Sequence, residues 1–148
     1  MSWAGAADGR HASLSAFRAA AMRDDIAAMA EIARADPSFI ADENPDGVPL
    51  ARLARIYRLQ TFAREGTLAD VERALDQDPD LIHEPWTARR WLPLSQAIWG
   101  GRHDIVERLI ARGAEVRATV DGGVTMLAMA AARHDARVAA LLRAHGAG

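Results

Sequence analysis

The sequence predicts an all-α chain of stacked helix-turn-helix units, and three observations predict it. Landmarks recur at a single period: Leu94 to Leu127 and Gly113 to Gly146 are both 33 residues apart. Apolar residues fall in stripes of helical spacing, as in Ile105, Val106, Leu109 and Ile110, which places them on one face of a helix. N-caps or first-turn anions punctuate the stripes: Asp24, Thr67, Asp104 and Asp135 each stand where a second helix begins. Two short helices cannot bury such a stripe alone, so each unit needs its neighbour.

Residues 1–12 read as an N-terminal tail, followed by one domain over 13–147 with units of about 13–44, 45–88, 89–121 and 122–147. In the first unit Phe17, Ala20, Ala21 and Met29 mark the core face, and the unit closes on Asp36-Pro37-Ser38-Phe39-Ile40. The second opens at Pro45-Asp46-Gly47, a turn sequence. Leu50, Leu53, Ile56 and Tyr57 then keep helical spacing as far as Leu59 and Ala63, about nine residues more than the later units hold. The spacing predicts a first helix lengthened by about two and a half turns, with a separate short helix as the alternative. Thr67 and Asp70 form a capping-box pattern ahead of Leu68, Val71 and Leu75. The unit closes on Asp78-Pro79-Asp80-Leu81-Ile82, a near copy of the first closure. The third runs from Leu94, Ala97 and Ile98 through the 105–110 stripe to Gly113, a position that favours a left-handed cap. The fourth has a turn at Asp121-Gly122-Gly123 and a second stripe at Val138, Leu141 and Leu142.

These units resemble the ankyrin repeat, a β-turn and two helices with a T-P-L-H-x-A signature. The resemblance rests on Leu92-Pro93-Leu94-Ser95-Gln96-Ala97 with Gly113-Ala114-Glu115-Val116, and on Thr125-Met126-Leu127-Ala128 with Gly146-Ala147. The two Asp-Pro closures are similar to a variant found in bacterial ankyrin units. The resemblance implies a solenoid with short β-turn connections that binds other proteins through its turn tips and concave face. Arg18, Gln60, Ser95 and Ala128 stand where the family carries histidine, so its hydrogen-bond ladder is expected to be missing. No polar capping unit follows the last repeat, which leaves Ala128, Met129 and Ala132 open as a route to a homodimer.

Composition narrows the function classes. The net charge is −2 and there is no cysteine, which argues against nucleic-acid binding, thiolate metal sites and cysteine nucleophiles. The longest apolar run, Met126 to Ala132, is far too short to span a membrane. The first residues carry no secretory signal pattern, so a cytoplasmic protein is expected. All 18 basic residues are arginine, a bias that lowers the weight of any single arginine. The Asp76–Asp80 cluster lacks the glycine and final carboxylate of a calcium loop, and no zinc-helix, phosphate-loop or nucleophile-elbow motif occurs. No catalytic residue, cofactor or metal is therefore expected.

Three of the four tryptophans lie between residues 86 and 99, beside arginines. Tryptophan and arginine dominate binding hot spots. The expected partner surface comprises Arg64, Arg89, Arg90, Trp91, Trp99, Met129 and Arg133, facing a protein or peptide of acidic character. Trp86, after Pro85, reads as a plug between units. The alternative is an enzyme or small-ligand pocket near the lengthened second unit, built from Tyr57, Arg58, His83 and His103, with Asp104 orienting His103.

Overall fold

The computed structural model describes residues 3–86 and 90–147, with side chains from residue 12 onward. The chain is mostly helical and divides into two compact units, Met1–Arg58 and Leu59–Gly148. Among the described residues no helix is long and apolar enough to cross a membrane.

The first unit holds α1 (Trp3–Met22), α2 (Ile26–Ala35) and α3 (Pro37–Glu43), which pack on one another. Residues 3–12, expected as a tail, are the first turns of α1. Asp24 is not the cap of α2: it takes a left-handed φ of 57°, and the next residue, Asp25, accepts the Ala28 N–H. The Asp-Pro closure is itself a helix start, because Asp36 accepts the Phe39 N–H and proline at the first position needs no partner for a missing N–H. Phe17 meets Phe39 and Tyr57 edge-on, with ring centroids 5.4 and 5.8 Å apart.

A single helix, α4 (Leu50–Glu65), leads out of this unit. Its 16 residues against 7 in each later first helix match the expected lengthening, with no break.

The second unit continues with α5 (Leu68–Gln77), a 3-10 segment (Pro79–His83), α6 (Pro93–Trp99), α7 (His103–Ala111), a hairpin of β1 (Thr119–Val120) and β2 (Val124–Thr125), α8 (Met126–Ala132) and α9 (Ala136–Ala144). Helix α6 lies against α7 and α8, while α7 lies against α5 and α9. The core between them is Leu75, Leu94, Ile98, Ile105, Leu109, Met126 and Leu142, all essentially without exposure. Thr67 and Asp70 complete the capping box of α5, and Asp135 caps α9 through the Val138 N–H. Asp104 is the first-turn anion of α7, where it accepts the Ile105 N–H.

Backbone geometry recurs with the landmarks. At the end of α6, Gly101 N–H bonds Ile98 O and Arg102 N–H bonds Ala97 O; at the end of α8, His134 bonds Ala131 and Asp135 bonds Ala130. The same pair of bonds closes α1, from Asp24 to Ala21 and from Asp25 to Ala20. This is the Schellman arrangement, which demands a left-handed residue at the turn; Asp24, Gly101 and His134 have φ of 57°, 69° and 53°. Gly113 and Gly146 likewise close α7 and α9 with φ of 97° each.

Exposed ion pairs link the second helices. Arg108 and Arg112 of α7 reach Glu72 of α5 at 2.5 and 3.2 Å, and Arg112 also reaches Asp76 at 2.9 Å. The bond to Glu72 raises the Arg108 guanidinium above its usual value. Arg137 of α9 reaches Glu107 of α7 at 3.1 Å.

Candidate functional site

The site is built on two segments, α6 and the turn before it. Trp86 and Trp91 form an antiparallel bridge, with Trp86 N–H donating to Trp91 O at 2.7 Å and Arg90 N–H to Trp86 O at 2.6 Å. Arg90 at the turn has φ 60° and is exposed. A non-glycine residue in that region costs about 1–3 kcal/mol and persists only where its surroundings impose it. Trp86 is buried, consistent with a plug.

Helix α6 starts at Pro93, with Ser95 Oγ accepting the Leu92 N–H at 2.9 Å. Six of its seven residues are buried, and Trp99, the last, is 42% exposed. The end of α6 is fixed by close backbone approach: a Cβ on Gly100 would meet Arg64 O at 2.3 Å. Trp99 therefore projects from a rigid point. Its ring meets Trp91 edge-on at 6.2 Å between centroids, and the Arg133 guanidinium sits over it at 5.3 Å. The two contacts are worth roughly 0.5–1.5 and 0.5–1 kcal/mol, respectively.

The structure thus brings Trp91, Trp99 and Arg133 of the expected surface together, with Arg90 adjoining Trp91 in the chain. Arg133 has no acidic partner among the described residues, so its charge faces solvent beside the aromatic pair. Arg64 is held by its backbone near Gly100, and its side chain lies 3.7 Å from Glu65. Arg89 lies outside the described residues. Met129 does not belong to the surface: at 4% exposure it is core, whereas Ala128 and Ala132 on the same helix are exposed.

The residues of the alternative pocket are committed elsewhere. Tyr57 is 4% exposed and donates its hydroxyl to Glu43 at 2.5 Å. Arg58 pairs with Asp24 at 3.8 Å, and His83 is exposed at the end of the 3-10 segment. His103 does not pair with Asp104: its Nε2 lies 2.7 Å from Asp135 Oδ2, joining the start of α7 to the cap of α9. Burial works to raise the Asp135 carboxyl, but the His103 bond, the Val138 N–H and the nearby positive charges outweigh it and hold it below the usual aspartate value. A histidine so engaged is a structural clasp.

Sequence reasoning missed Gln60 and Gln96, both 3% exposed. Gln96 Nε2 donates to Gln60 Oε1 at 3.0 Å, and Gln60 Nε2 donates to Trp91 O at 2.6 Å and to Glu84 O at 3.4 Å. The two carboxamides thus tie α4 to α6 and to the segment that carries Trp91. The signal available was a carboxamide embedded at a core-facing register. Surface cavities elsewhere include one of about 340 Å³ between Arg117, Leu127 and Ala147 and one of about 470 Å³ between Leu68, Asp104 and Arg108.

Comparison with known protein families finds no matching family model, and comparison with curated proteins finds no match.

Proposed function

We propose that this chain is an ankyrin-type repeat protein that binds an acidic protein or peptide segment at the Trp91–Trp99–Arg133 patch, without turnover. The repeat reading is supported by the turn geometry that returns at 33 residues, from Ala97 to Ala130 and from Gly113 to Gly146, at the ends of paired helices. The binding reading is carried by one observation: Trp99 leaves a large apolar ring in solvent at a helix end, with the Arg133 guanidinium, which has no acidic partner among the described residues, on its face. Exposed tryptophan beside arginine is the composition of a hot spot. A carboxylate that pairs with Arg133 keeps the guanidinium over the ring while its neighbour covers the indole.

The test is selection of displayed peptides on the wild-type protein, followed by affinity measurement on Trp99→Ala/Arg90→Glu. Selected peptides are expected to be rich in aspartate and glutamate. The double variant is expected to keep the helical circular dichroism and to lose roughly 30-fold in affinity, the scale of one hot-spot residue. Equal affinity for both proteins removes the patch as the site.

A further inference from the structure

We propose that Gln60 and Gln96 are positioning residues of the tryptophan patch, acting as a carboxamide relay that sets Trp91 and Trp99 against each other. The inference deepens the docking reading above and rests on it for its functional meaning.

Both carboxamides are buried, where polar groups are costly unless hydrogen-bonded. Gln60, on α4, donates to carbonyls on both sides of the Trp86–Trp91 bridge, Glu84 O before it and Trp91 O within it. Its carbonyl accepts from Gln96, which lies three residues before Trp99 on α6. One side chain is thus the common reference for both segments that carry the tryptophans. The main-chain carbonyls fix which way the Gln60 amide faces, since a flipped amide would set its oxygen against Trp91 O.

The Trp86–Trp91 bridge needs such a hold. Among the described residues it is one bridge with two main-chain bonds, and short two-stranded pairs are marginal alone. It also carries the left-handed Arg90. The relay is a poor device for stability, however, because Gln96 Oε1 and Trp91 Nε1 are buried with no partner. A half-satisfied network is less stabilising than apolar packing of the same volume. What it supplies is direction.

That difference makes the test decisive. A tryptophan pair in edge contact gives an exciton couplet in circular dichroism, assigned here by its loss in Trp91→Phe. In Gln60→Met/Gln96→Met the cooperative melt is expected to persist while the couplet disappears and affinity for a selected acidic peptide falls roughly tenfold. A folded double variant that keeps the couplet overturns the relay. Should that variant fail to fold, hydrogen exchange on the wild-type protein decides: slow exchange of the Gln60 side-chain amide protons upholds the relay, and exchange at the rate of a free glutamine overturns it. If the wild type binds no acidic peptide, the docking reading fails, and the couplet still judges the relay.

Discussion

At Gly100 and Arg90 the chain makes opposite use of the backbone. Gly100 has an ordinary right-handed φ of −77°, so its lack of a side chain serves only the approach of Arg64 O. Gly100→Ala is expected to destabilise by about 1–3 kcal/mol through overpacking, read by urea unfolding, and to blunt peptide binding by shifting Trp99. Arg90 is the reverse, a charged residue where glycine would be relaxed. Arg90→Gly is expected to raise stability by about 1 kcal/mol and to weaken the acidic peptide; a variant that binds more tightly would show that the guanidinium plays no part. Sequence made Trp99 and Arg133 legible because exposed tryptophan is rare enough to notice. It misplaced Met129, since a methionine on a seven-residue helix can face either way until its neighbours are known. It gave Gln60 no role because the bonding expected at that position was a histidine's, and the carboxamide's partners lie 24 to 36 residues away.

Among the elements, the helices and their stripes were legible, since periodicity is local and caps are named by residue type. Thr67–Asp70 and Asp135 are read directly that way. Asp104 is read as a first-turn anion, and Asp24 was misassigned by one position, because the left-handed turn residue and the cap are adjacent and aspartate suits both. The pairing of His103 with Asp135 is 32 residues apart and invisible to any local rule. It carries a pH consequence. The folded-state carboxyl of Asp135 is depressed, so the unfolded chain binds the proton more tightly. The stabilisation is fully present above the usual carboxylate value of about 4 and is lost as pH falls through the lower folded value. Asp135→Ala is expected to cost about 1–2 kcal/mol near neutral pH, with the gap to wild type closing in acid. A gap that stays constant to the lowest pH reached would show that the clasp does not depend on the carboxylate charge.

Across the second compact unit, packing and charge are divided between opposite faces of the helices. The apolar residues of α6, α7 and α8 fill the core, while the arginines and acids of α5, α7 and α9 meet at the surface. Exposed pairs contribute little and are screened by salt. Glu72→Gln, which removes the acid shared by Arg108 and Arg112, is expected to cost under about 1 kcal/mol and nothing at about 1 M salt. Leu109→Ala is expected to cost about 2–5 kcal/mol whatever the salt. Comparable salt-sensitive losses in both variants would mean that the surface lattice holds the helices in register. This division is why the core was legible and the lattice was not: burial follows from periodicity, but which arginine meets which acid depends on how neighbouring helices are offset.

In each of the three Schellman turns after α1, α6 and α8 the longer main-chain bond ends on a fully buried alanine, Ala20, Ala97 or Ala130, while the exposed left-handed residue between differs each time: Asp24, Gly101, His134. Such a joint is indifferent to the chemistry it displays. Over generations the outward residues can drift toward new partners while the buried alanines stay put, so recognition and architecture evolve as separate inheritances on one short chain.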